Sequence, residues 1–110
     1  MAFPDAHRAV VSDSKLLQYL LNFDHLMGEP KAAWFQSLGY TIDNADELRT
    51  DLLAVASADA DFISKRSPHG VKYVAVGEIG RPPSHPGRVV TVWIVAGNDL
   101  PRLITAYPAD

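Results

Sequence analysis

The hydrophobic rhythm of the chain changes near residue 61. Before that point apolar residues recur at helical spacing: Leu16, Leu17, Leu20 and Leu21 form one stripe, and Leu48, Leu52, Val55 and Ala56 form another. The first stripe predicts a helix over residues 15–21, capped by Ser12 or Ser14, whose hydroxyl can accept from an orphan N–H of the first turn. Gly28-Glu29-Pro30 reads as a turn into a second helix over about 31–38, with Pro30 in its first turn and Gly39 as a left-handed C-cap. A third helix starts at Asn44, which with Glu47 resembles a capping box, while Asp46 and Glu47 suit the positive end of the helix dipole.

Beyond Ala58-Asp59-Ala60-Asp61 the pattern alternates. A short strand over 62–66 meets the turn Ser67-Pro68-His69-Gly70, followed by strands over 71–78, 88–96 and 102–107. The last two are separated by Gly97-Asn98-Asp99, and a Pro-rich hairpin loop over 80–87 precedes them. Loops this short cannot serve as parallel crossovers, so the sheet is expected to be an antiparallel meander. About three N-terminal helices must then cover one face of three to four strands, an α+β fold in two layers. Residues 1–11 read as a partly ordered arm and 12–110 as a single domain. In 88–96, Val90, Val92 and Ile94 are expected to meet the helices, leaving Thr91 and Trp93 on the open face. In 102–107, Ile104 and Ala106 are assigned to the core, and Thr105 and Tyr107 to the open face.

Composition narrows the functional classes. The 110 residues are 47% hydrophobic and 21% charged, as in an ordinary globular domain. There is no cysteine, which excludes disulfides, thiolate catalysis and cysteine-ligated metal. No run approaches the ~20 apolar residues of a membrane helix. Met1-Ala2-Phe3-Pro4-Asp5 also lacks the charged and apolar blocks of a secretory signal, so a cytoplasmic location is expected. The formal charge of −3 is unevenly spread: residues 1–61 hold four Lys/Arg against ten Asp/Glu, whereas residues 62–110 hold six against three. The sheet half is basic, and a basic face attracts polyanions.

That face supplies the candidate chemistry. Tyr73, Thr91, Trp93, Thr105 and Tyr107, flanked by Lys72, Arg88 and Arg102, would make a platform of rings and hydroxyls with basic edges, able to stack bases and hold phosphates. His25 and His69 stand in loops beside element ends, where an imidazole can exchange protons near neutral pH. Lys31 places a cation at the start of a helix, against the dipole, and could hold an anion there. No phosphate loop, dinucleotide glycine pattern or nucleophile elbow occurs, and no histidine pair has zinc-site spacing. No cofactor and no metal are expected.

The order of several short motifs is informative: Lys15-Leu16-Leu17-Gln18-Tyr19-Leu20-Leu21-Asn22, then His25, Gly28, Lys31-Ala32, Phe35 and Leu38-Gly39-Tyr40. Thr91-Val92-Trp93 and Arg102-Leu103-Ile104-Thr105-Ala106-Tyr107-Pro108 close the chain. Over about residues 12–108 it resembles an uncharacterised bacterial family of small domains, a domain of unknown function. Members of that family are similar to compact toxin ribonucleases of the barnase, EndoU, colicin and RelE type, in which helices precede an antiparallel sheet whose open face carries the active site. The resemblance implies a metal-independent ribonuclease-like or RNA-binding module of a toxin or toxin–antitoxin system. His25 or His69 would then act as acid or base, Lys31 with Arg88 or Arg102 would stabilise phosphate charge, and Thr91, Thr105 and Tyr107 would position the substrate. The alternative is a non-catalytic interaction protein, such as an immunity protein or accessory subunit, binding a cognate protein through its acidic helical half or the sheet edge. The sheet edge also offers a route to a homodimer.

Overall fold

The computed structural model describes residues 3–16, 29–58, 62–80 and 86–109. The helical layer begins with a 3-10 turn, Ala6–Arg8, and a helical turn, α1, over Asp13–Lys15. Ser12 caps α1 by accepting from the Lys15 N–H at 3.1 Å. The remainder of the first expected helix, residues 17–21, lies outside the described residues. Helix α2 spans Glu29–Ser37 and ends as Gly39 predicts: this glycine has φ +97°, and the Tyr40 N–H reaches back to the Phe35 carbonyl while the Gly39 N–H reaches that of Gln36.

Helix α3, Ala45–Ser57, starts where expected but by a different device. Asn44 makes no side-chain cap for it. Its amide instead ties down the preceding 3-10 turn, Ile42–Asn44, accepting from the Thr41 N–H at 2.6 Å and donating to the Gly39 carbonyl at 2.9 Å. The same polar residue marks the boundary because either use of its side chain satisfies groups that a helix start leaves orphaned. Among the described residues only α2 and α3 are helices of two turns or more, against the three expected.

Four strands, β1 Phe62–Ser67, β2 Gly70–Ile79, β3 Gly87–Val95 and β4 Arg102–Pro108, form one antiparallel sheet in the order β1-β2-β3-β4. The β1–β2 turn needs Gly70, which has φ +130°; a Cβ there would stand 2.3 Å from the Val95 carbonyl oxygen. In β3 and β4, Val92 pairs with Thr105 but Trp93 pairs with Leu103, so Ile104 is the extra residue of a bulge.

The core lies between the helical layer and one sheet face. Leu48, Leu52, Val55 and Ala56 of α3, Phe35 of α2 and Leu38 just after it are buried with Ala75, Ile79, Val89, Trp93, Leu103 and Ala106. Residues 3–11, read above as an arm, contribute Phe3, Ala6, Ala9 and Val11 to the same core. Val10 also pairs in parallel with Arg102 at the outer edge of β4. Burying a side chain such as Phe3 or Val11 is worth roughly 1.5–3 kcal/mol, so the arm contributes to the fold's stability.

The β3 alternation is inverted relative to expectation. Val89, Thr91 and Trp93 face the helices, while Val90, Val92 and Ile94 face away and are half-buried. Both sets are apolar enough to fill a core, so periodicity alone does not choose between them. The choice follows from size and from hydrogen bonding. Trp93 carries the most apolar area, and its Nε1–H donates to Thr91 Oγ1 at 2.8 Å while the Thr91 hydroxyl donates to the Ala75 carbonyl at 2.7 Å. Each polar atom of the pair is thereby satisfied in the interior.

Candidate functional site

Partners in register share a face of the sheet, so the open face follows from the pairing. One row across it is Lys65, Lys72, Ile94 and Arg102; the next is Ile63, Val74, Val92 and Thr105. A third holds Val76, Val90 and Tyr107, and a fourth sets Glu78 opposite Arg88. Aliphatic groups therefore fill the centre. Basic side chains stand at one end, and a carboxylate and a guanidinium at the other, next to the row that ends on Tyr107.

Strand β4 positions its residues through the bulge. With Ile104 as the extra residue, Leu103 and Ala106 both turn inward, and Thr105 and Tyr107 turn to the open face as expected. Ile104 is half-buried and does not join the core expected for it. Tyr107 keeps 39% of its surface exposed, and Thr105 is half-buried. Arg88 and Arg102 are exposed on the same face. Glu78, also exposed, was not singled out from sequence. A loop over 80–87 would pair 79 with 88, one residue off the register that sets Glu78 opposite Arg88, so the sequence carries no direct signal for it.

The remaining platform residues are not there. Thr91 and Trp93 are fully buried beneath the helical layer, on the opposite face from Thr105 and Tyr107, which corrects their expected placement. Tyr73 pairs with Trp93 and so lies on the core side too. Its ring stacks on Phe3 with centroids 4.8 Å apart and planes 8° from parallel, and Phe62 meets it edge-on at 5.7 Å. These three are core residues with no face left for a base.

His69 is exposed in the β1–β2 turn, with its backbone N–H donating to Ser67 Oγ at 3.3 Å. Tyr107 is level with Val76, six residues along β2 from the turn, so roughly 20 Å separates the two sites at the rise of a strand. His69 is thus not brought together with Thr105 and Tyr107. His25 lies outside the described residues, as does the side chain of Lys31, whose backbone is in the first turn of α2. No group of three His, Asp or Glu suited to a metal occurs among the described residues.

On the helical side a cleft of about 400 Å³ opens between α3 and the end of β2, lined by Asp51, Val55, Gly77, Glu78, Gly80 and Pro86. Buried Tyr40 ties two of these residues together: the phenol donates to Asp51 Oδ2 at 2.5 Å and accepts from the Gly80 N–H at 2.9 Å. The network fixes the end of β2 from which Glu78 projects.

A two-layer α+β domain with one antiparallel sheet face left uncovered by the described residues, polar at both ends and aliphatic in the middle, is the class these features define. The chain belongs to the family described as a domain of unknown function, DUF6883, whose model matches residues 2–110. Its fold is similar to that of a chain in the structure of a contact-dependent growth inhibition toxin–immunity protein complex from Klebsiella pneumoniae 342. The TM-score is 0.73 and the identity 15%, covering 96% of this chain and 97% of that one. No curated protein sequence matches the chain. No helix among the described residues is long and apolar enough to cross a membrane.

Proposed function

We propose that the chain is a metal-independent, ribonuclease-like module of a toxin system, acting on RNA at the β3–β4 side of its open face. The observation that carries the reading is that Glu78, Arg88, Thr105 and Tyr107, from three strands, share that face and point away from the helices. Cleavage by an internal nucleophile needs only such groups. The ribose 2′-oxygen gives up its proton and bonds to the adjacent phosphorus, and the 5′-oxygen leaves with a proton returned to it. In this reading Glu78 takes the first proton, Arg88 neutralises the phosphate, and Thr105 and Tyr107 orient it, with Arg102 guiding the strand. His69 drops out because of its distance. His25 and Lys31 stay in the reading as a further imidazole and cation, to be tested by substitution. The likeness to a chain of a toxin–immunity complex supports the toxin context.

Incubation with total RNA in EDTA tests it. Cleavage is expected, falling about 10²-fold or more in Glu78→Gln, Arg88→Gln and Tyr107→Phe at unchanged melting temperature. His25→Ala reports whether the imidazole takes part. Absence of cleavage together with absence of RNA retention at low salt would sink the proposal. The aliphatic centre formed by Val74, Val76, Val90 and Val92 favours a second reading, a non-catalytic module that binds a cognate protein. Expression separates the two, since a ribonuclease arrests its host and a binding module does not.

A further inference from the structure

The two edges of the sheet are treated differently. The outer edge of β4 is capped at its start by the arm: the Val10 N–H donates to the Pro101 carbonyl at 2.9 Å, and the Leu103 N–H donates to that of Val10 at 3.1 Å. Among the described residues strand β1, six residues long, pairs only with β2, so the backbone donors and acceptors of its other edge have no partner there. Its four central residues, Ile63, Ser64, Lys65 and Arg66, are all exposed, on both faces of the sheet. Ile63 keeps 69% of its surface in water, the most of any large hydrophobic residue described.

The charges at this edge are also unbalanced. Lys65 stands directly opposite Lys72 on one face, and like charges so placed oppose strand pairing. Neither lysine has an acidic partner among the described residues, and Arg66 adds a third cation on the other face. A stretch of ladder, an exposed apolar side chain and two uncompensated lysines share one occupant that satisfies all three. It is an extended segment of a protein with acidic residues alternating with an apolar one. RNA would answer the charge but not the free ladder or Ile63.

We propose that the outer edge of β1 is a docking site for an acidic β-strand of a partner protein, which extends the sheet to five strands. The site is separate from the β3–β4 side of the open face and stands whether or not that face cleaves RNA. Backbone pairing supplies affinity, Ile63 and Lys65 read alternate side chains of the incoming strand, and the carboxylates relieve the Lys65–Lys72 repulsion.

The test uses the whole chain, isotope-labelled, and a blocked peptide of alternating glutamate and valine. Backbone amide shifts are expected in residues 62–67, with binding weakened about tenfold or more by Lys65→Glu. The same peptide N-methylated at every residue keeps its charge but cannot donate, and is expected not to bind. A peptide with lysine for glutamate is expected to fail as well. Equal binding of the N-methylated peptide would reduce the edge to a generic charge patch and overturn the proposal. So would shifts in 62–67 produced by an oligoribonucleotide and not by the peptide. RNA cleavage by Lys65→Glu is expected to match the parent, so a failure here is distinguishable from a failure of the ribonuclease reading.

Discussion

Thr91 shows how a residue read as surface chemistry can serve the interior. Its hydroxyl links a sheet carbonyl to the indole N–H of Trp93, and no side-chain polar atom buried among the described residues lacks a partner. Replacing Thr91 by valine keeps the shape and removes the link, leaving the indole N–H buried without an acceptor. The expected loss is about 1–3 kcal/mol of unfolding free energy, measured by urea denaturation. A loss under ~0.5 kcal/mol would show that the link contributes nothing beyond what water supplies. RNA retention by the folded variant is expected to equal that of the parent, because Thr91 faces away from Arg88 and Tyr107.

At the scale of elements, α3 packs tightly on β2 at Gly77. A Cβ on Gly77 would lie 3.0 Å from Val55 Cγ2, and valine has little rotamer freedom with which to retreat. Gly77→Ala is therefore expected to cost about 1–3 kcal/mol by overpacking. Combining it with Val55→Ala should recover part of that cost, a coupling of at least ~0.5 kcal/mol in a double-mutant cycle of thermal or urea unfolding. Strict additivity would mean that the helix shifts as a body instead.

The elements themselves were largely legible. The stripe of Leu48, Leu52, Val55 and Ala56, the glycine stop at Gly39 and all four strands appear in the sequence because each is a local pattern. The choice of sheet face was not legible, because β3 is apolar on both sides and a bulge interrupts the count in β4. Thr105, Tyr107, Arg88 and Arg102 were found on the open face nonetheless. Glu78 was missed because its place depends on a partner ten residues away, and Tyr73 was put on the wrong face because Phe3, which stacks on it, belongs to a segment without a periodic signal.

For the molecule as a whole, net acidity and anion binding are compatible because the charges are segregated along the chain. Residues 1–61 carry four basic against ten acidic side chains, residues 62–110 six against three. Sheet and helices pack about 10 Å apart. The screening length at physiological salt is only about 8 Å. The open face is therefore largely shielded from the acidic layer. If Arg88 and Arg102 are the phosphate contacts, the logarithm of RNA affinity should fall against that of salt with a slope near −1.4, at ~0.7 per contact for single strands. Arg88→Gln should halve that slope, while Lys65→Glu should leave it unchanged; the reverse result would move the RNA path to the β1 corner.

The bulge at Ile104 has a consequence for comparing this chain with its relatives. Because Leu103 and Ala106 both point inward, a relative lacking one residue here would show the same inward and outward side chains with unbroken alternation. An alignment that spreads such a gap elsewhere in β4 would exchange the two sides of the strand, and would assign Thr105 and Tyr107 to the interior of a protein that in fact displays them.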